Sequence, residues 1–110
     1  MSSKLPITLL SLQQLIESEN RLIVVDCYAE WCGPCKKIAP AIAELEDKYK
    51  NNNNSIIVLK VDVDECDDIS NAYQIKSLPT ILYFKHGQLV DKNIGANMEE
   101  IEKKIVRYWQ

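Results

Sequence analysis

Two apolar runs joined by a stretch of helical period constrain this chain more than any other feature. Residues 22–29 carry a single charge, Asp26, among Leu22, Ile23, Val24, Val25, Cys27, Tyr28 and Ala29, and residues 56–63 read in much the same way. A strand with one wet face alternates apolar and polar side chains; a nearly continuous run fits a strand covered on both faces. Between the runs, over residues 34–49, Ile38, Ala41, Ile42 and Leu45 recur at helical spacing. Pro34 suits the first turn of that helix, and Pro40 within it removes a backbone donor, so a kink is expected. Two buried parallel strands linked by a helix form a right-handed βαβ unit.

The flanks extend the alternation. Ser11 with Gln14 has the pattern of a capping box ahead of Leu12, Leu15 and Ile16, placing a helix before the first long strand. Residues 7–10 are expected as a short edge strand before that helix. A short helix carries Ile69, Ala72 and Tyr73, with Asp64 or Asp67 as its cap. Residues 80–85 and 88–94 read as strands joined at His86-Gly87. Asn97, with Glu100 three residues on, caps a last helix bearing Met98, Ile101, Ile105 and Tyr108. The expected order is βαβαβαββα, a mixed central sheet with helices on both faces. Residues 51–54 form a polar surface connection, and residues 1–110 are expected as one domain.

Charge and cysteine usage narrow the function. Thirteen Lys and Arg against sixteen Asp and Glu leave a net charge of −3, with no basic run. Nucleic acid and anionic membrane are therefore not expected as main partners. The longest aliphatic run, residues 56–59, is far too short to span a bilayer, and residues 1–12 lack the pattern of an export signal. The expected compartment is the reducing cytoplasm. Four cysteines in 110 residues fall below the density of disulfide scaffolds. In a reducing compartment, cysteines at short spacing are more often catalytic or metal-binding than structural.

The chemistry gathers at Trp31-Cys32-Gly33-Pro34-Cys35, where the first long strand ends and the helix begins. Open α/β sheets place their sites at that edge. Residues three apart at a helix start share a face and come within disulfide reach. Cys32 lies near the N-cap, where free amides and the positive dipole end favour a thiolate. Cys35, one turn inside, is expected to be more buried: Cys32 attacks and Cys35 resolves. Asp26 is costly on a strand buried on both faces unless neutral or paired, so burial should raise its pKa. It is a candidate proton acceptor and donor for Cys35, with Lys60 on the neighbouring strand as its candidate partner. Cys27 reads as a small core residue and His86 as a surface turn residue. Cys66 reads as a free thiol at a helix start, with oxidative dimerisation of an otherwise monomeric chain as its functional alternative. A zinc site from Cys32, Cys35, Cys66 and His86 is the competing chemistry, although zinc favours two close ligand pairs and this chain has one. A scaffold used only for binding is the third class.

Asp26, the segment from Ala29 to Lys36, Ala39-Pro40, Val61-Asp62-Val63-Asp64, Leu78-Pro79-Thr80 and Gly95-Ala96 resemble thioredoxins in order and spacing, over nearly the whole chain. The resemblance implies a five-stranded mixed sheet flanked by four helices, and dithiol–disulfide exchange with protein substrates, so a protein-disulfide reductase and electron carrier. Cys32 matches the family's nucleophile, Cys35 its resolving cysteine and Asp26 its buried acid. Pro79 matches its cis-proline, with Leu78, Thr80, Trp31, Gly95 and Ala96 along the substrate strip. Gly33-Pro34 between the cysteines resembles the reducing members of the superfamily. No cofactor beyond the redox-active pair is implied. The implied electron donor is an NADPH-dependent thioredoxin reductase, and the implied clients include peroxiredoxins or ribonucleotide reductase.

Overall fold

In the computed structural model, which describes residues 7–50 and 54–109, the first apolar run becomes β1 (Ile23–Tyr28), buried at every residue except the half-buried Tyr28. Neighbours on both sides explain that burial. β1 pairs in parallel with β2 (Ile57–Asp62) and antiparallel with β3 (Thr80–Lys85), which pairs with β4 (Gln88–Ile94). The sheet order is β2-β1-β3-β4. Helix α1 (Leu9–Ser18) precedes β1, α2 (Gly33–Lys48) crosses from β1 to β2, α3 (Asp67–Ala72) follows β2, and α4 (Met98–Trp109) ends the described chain.

Alternation along β1 divides the core in two. Ile23, Val25 and Cys27 pack with Leu12 and Ile16 of α1 and Ile69 of α3. Val24, with Ile81 and Tyr83 of β3, packs against Ile38 and Ile42 of α2 and Ile101 and Ile105 of α4. The buried Tyr83 hydroxyl donates to Asn93 Oδ1 at 2.8 Å, so its polar atom is satisfied inside the core. Trp109 closes this layer by packing edge-on to Tyr49, ring centroids 5.2 Å apart, and its indole N–H reaches the Asn54 carbonyl at 2.6 Å.

Three expectations are corrected. The sheet has four strands among the described residues rather than five, and residues 7–10 form no strand: Leu9 and Leu10 already belong to α1. The capping box sits one turn earlier than the Ser11–Gln14 pattern, because Thr8 Oγ1 accepts the Ser11 N–H at 3.0 Å while Ser11 Oγ accepts the Thr8 N–H at 3.1 Å. The described order is therefore αβαβαββα. At α3, neither Asp64 nor Asp67 is the cap; Cys66 holds that position with no side-chain hydrogen bond, while Asp67 and Asp68 lie in the first turn, where negative charge suits the dipole. Helix α2 runs through Pro40 as one element. Residues 51–53 of the polar connection lie outside the described residues.

The shifted cap gives a direct test. Thr8→Ala is expected to lower stability by about 1 kcal/mol. Gln14→Ala, on the exposed face of α1, should leave the urea midpoint unchanged. The reverse ranking would return the cap to Ser11.

Candidate active site

Between the end of β1 and the start of α2 the chain makes a short turn, and the helix N-cap that results is Cys32. Its N–H donates to the Ala29 carbonyl at 3.1 Å, and its own carbonyl accepts the Lys36 N–H at 3.2 Å. Cys32 Sγ accepts the Cys35 N–H at 3.2 Å. This is the donor geometry that stabilises a thiolate at a helix start. Pro34 falls in the first turn, where a missing N–H costs nothing. Cys32 and Cys35 are joined as a disulfide, with Cα atoms 5.3 Å apart, as the one-turn spacing allows.

The two cysteines rest on one apolar floor formed by Ala29, with Tyr28, Val63 and Leu78 against it. They are 5% and 4% exposed, so the expected deeper burial of Cys35 is absent in this oxidised state. The asymmetry lies in what each cysteine lines. Cys32 edges a groove of about 400 Å³ walled by Trp31, Pro34, Val63, Ile75 and Leu78. Cys35 opens onto a second cleft of about 200 Å³ bounded by Tyr28, Lys36, Ala39 and Lys60.

Trp31 is the most exposed large apolar side chain of the described residues, at 71%, yet it is held: its indole N–H donates to Asp64 Oδ2 at 2.8 Å. An exposed aromatic fixed by a charge-assisted hydrogen bond offers contact area with little rotamer entropy left to lose. Asp64→Ala should raise KM for a protein disulfide by roughly 3-fold with kcat little changed, since it frees the ring without touching the sulfurs. A loss carried by kcat instead would rule out a role for Asp64 limited to holding the Trp31 ring.

On the other side of the pair, the Leu78-Pro79 bond is cis. The buried Pro79 offers its carbonyl to the Gly95 N–H at 2.9 Å. Gly95 takes φ +103°, a conformation that favours glycine. Thr80, expected along the substrate strip, is 2% exposed, and its hydroxyl donates to the Ser77 carbonyl at 2.6 Å. It braces the loop rather than facing solvent. Leu78 lines the groove, Gly95 is half-buried, and Ala96 packs toward the α2–α4 layer. Sequence reasoning did not single out Val63, Asp64 and Ile75 as site residues. The signal for the first two was their place just past the carboxyl end of β2, where open sheets carry their sites.

Asp26 is 1% exposed, and among the described residues neither carboxylate oxygen has a hydrogen-bond partner. Burial pushes its pKa up from 3.8 to about 6, with the charge of Lys60 pulling the other way. Lys60 is Asp26's register partner across β1 and β2 but forms no ion pair with it; its ammonium stands over the Tyr28 ring, 4.5 Å from the centroid. Cys27 is a core thiol, pushed up to about 12 by burial, then by Asp26 and Cys66. Cys66 is 4% exposed in the α1–α3 core, and burial, followed by Asp68, raises its thiol as well. Cys66 is thus a free thiol at the start of α3, as its position suggests, with its sulfur turned into the core in this chain. His86 is an exposed turn residue at φ +52°. No three His, Cys, Asp or Glu side chains among the described residues converge as a metal centre requires.

The family model described as thioredoxin matches residues 4–107. Thioredoxin-T of Drosophila melanogaster is 42% identical over 96 residues, which cover 87% of this chain and 59% of that longer protein. Thioredoxin of Equus caballus is 43% identical over 93 residues, covering 84% of this chain and 85% of its own. A chain solved in work on the thiol resolving mechanism in yeast mitochondrial 1-Cys peroxiredoxin via glutathione/thioredoxin systems superposes with a TM-score of 0.84 at 37% identity, covering 96% of this chain and 95% of that one.

Proposed function

The chain belongs to the thioredoxin family and is a thiol–disulfide oxidoreductase, and from that premise we propose how its residues divide the reaction. One observation supports the assignment above the rest: Cys32 Sγ receives a helix-start N–H at the edge of an apolar groove, whereas Cys35 opens onto a separate polar cleft. In the dithiol state, Cys32 thiolate attacks one sulfur of a substrate disulfide. The substrate S–S bond breaks, a substrate thiolate leaves, and Cys32 is joined to the other substrate sulfur. Cys35, its proton passed to Asp26, then attacks Cys32 Sγ. The mixed disulfide breaks, the second substrate thiolate departs, and the Cys32–Cys35 bond forms. Two electrons have moved from the cysteine pair to the substrate, and Asp26 returns its proton to the departing thiolates or to water.

The redox centre is the cysteine pair itself. Trp31, Leu78 and the Pro79–Gly95 corner hold an extended substrate segment, Thr80 braces that corner, Gly33 and Pro34 set the turn between the sulfurs, and Ala96 flanks it. Lys60 tunes Asp26 through its charge rather than by direct pairing. Restoring the dithiol needs an outside reductant, for which we assign an NADPH-dependent thioredoxin reductase. Peroxiredoxins are the first client class to test, given the yeast relative above. No helix among the described residues is long and apolar enough to cross a membrane, and we place the protein in the reducing cytoplasm. Insulin reduction driven by dithiothreitol tests the reading: the chain should accelerate precipitation of the insulin B chain at substoichiometric amounts, and no acceleration would overturn it.

A further inference from the structure

We propose that Tyr28 is a positioning residue: its ring holds the Lys60 ammonium at the mouth of the cleft onto which Cys35 opens, over the face of the sheet that carries Asp26. The inference rests on the role given above to Asp26 and extends it to a side chain that takes no part in the exchange. Period two along β1 puts Val24, Asp26 and Tyr28 on one face, and Val24 packs against α2 there. The parallel register sets Lys60 beside Asp26 and Asp62 beside Tyr28. A lysine at that position has two partners in principle, the carboxylate beside it or the ring one pleat further on. It takes the ring: Nζ lies 4.5 Å from the Tyr28 centroid, inside the range of a cation–π contact, and among the described residues Lys60 enters no ion pair.

The other charged and titratable groups around this face do not replace that arrangement. Glu30 and Lys36 line the cleft with Lys60, Cys35 enters it from α2, and Asp62 lies at the end of β2. β3 sets the apolar Ile81 against Asp26. Lys60 is thus the cation whose charge opposes the burial of Asp26, and its effect depends on where the ring keeps it. Paired directly, Lys60 would hold Asp26 ionised and unfit to take up and return a proton. Released to solvent, it would leave the acid neutral at higher pH. Over Tyr28 it does neither.

The experiment is a carbon-13 titration of the Asp26 carboxyl in the oxidised protein, with Tyr28→Phe, Tyr28→Leu, Lys60→Gln and the Tyr28→Leu/Lys60→Gln double variant. Tyr28→Phe keeps the ring and should titrate like the wild type. Tyr28→Leu should move the midpoint upward by about half a unit, and Lys60→Gln at least as far. The double variant should match Lys60→Gln alone. No shift in Tyr28→Leu, or an added shift of the same size in the Lys60→Gln background, overturns the proposal, because the ring would then act through burial alone. Should Tyr28→Leu not fold, the wild type decides by itself: the Lys60 ε-methylene protons should show an upfield ring-current shift, and random-coil positions reject the contact. Insulin reduction separates the two readings. An acid limb that follows the midpoint supports both, whereas a limb that stays put while the midpoint moves removes Asp26 from proton transfer and leaves the placement of Lys60 standing.

Discussion

Cys32→Ser is expected to bring insulin reduction down to the uncatalysed background, a loss on the order of 10³-fold or more. Cys35→Ser should fail differently: the first attack still occurs, but the mixed disulfide accumulates as a stable adduct of one substrate per chain, visible by mass spectrometry without reductant. The difference follows from where the rate comes from. A thiol whose pKa falls from about 8.5 to about 7 gains roughly sixteen-fold in thiolate at neutral pH. Its intrinsic nucleophilicity falls with a Brønsted slope of about 0.4 to 0.5, leaving a net gain of only ~3-fold. Proximity contributes far more. Cys35 is held one helical turn away, with Cα atoms 5.3 Å apart, and well-oriented intramolecular reactions reach effective molarities of about 10⁵ M and above. Without Cys35 that second step falls back on thiols in solution. Wild-type rates in Cys32→Ser, or turnover without adduct in Cys35→Ser, would refute the division of roles.

Much of this was readable from residue pattern because the strongest signals were also the most buried. The run at 22–29 could only be a strand with neighbours on both sides, and β1 has them in β2 and β3. The hairpin ends matched the expected ranges because Gly87 takes φ +81°, which sharply ends a strand pattern. The N-terminal region departs from the expected pattern for a local reason. Ser11 and Gln14 fit the usual pairing of a Ser or Thr cap with Glu or Gln three residues on, whereas Thr8 is answered by the hydroxyl of Ser11, a pairing outside that pattern. An adjacent apolar pair such as Leu9 and Leu10 fits a strand as readily as the start of a helix.

At the site, the cysteines and Asp26 stood out because their chemistry conflicts with their surroundings, and such conflicts show in a sequence. What did not show was how Lys60 and Cys66 are placed. Lys60 sits beside Asp26 in register, yet its ammonium lies over a ring two residues along; that choice is made by side-chain packing across two strands, which spacing does not encode. Cys66 is the free thiol at a helix start that its position suggests, but its acidic neighbours Asp64, Glu65, Asp67 and Asp68 do not reveal its depth. The helix start turns those acids outward and the sulfur into the core.

The acid assigned above to proton transfer should also destabilise the fold, and Asp26→Asn should reveal it. Burial is the main cause that lifts Asp26 to about 6 in the folded chain against 3.8 ordinarily. A raised folded pKa means that Asp26's contribution to stability is full below about pH 4 and is lost as the pH rises through about 6. At pH 8 the ionised, unpartnered carboxylate then costs about 3 kcal/mol, the free-energy equivalent of its rise from 3.8 to about 6. Other carboxylates run the opposite way: Glu19, lowered to about 2 by its hydrogen bonds from Arg21, supports the fold above its ordinary range and loses that support as the pH falls. Total stability against pH therefore mixes both signs, but the difference between wild type and Asp26→Asn isolates one. Guanidinium midpoints should nearly coincide at pH 4 and separate by pH 8, with the variant the more stable, while its disulfide exchange slows at neutral pH. Parallel curves would mean the carboxylate is solvated or paired in the folded chain, contrary to its two unpartnered oxygens. A gap that opens with pH, alongside slower exchange, would mean that an acid able to accept and return a proton near neutrality is kept at the expense of the fold around it.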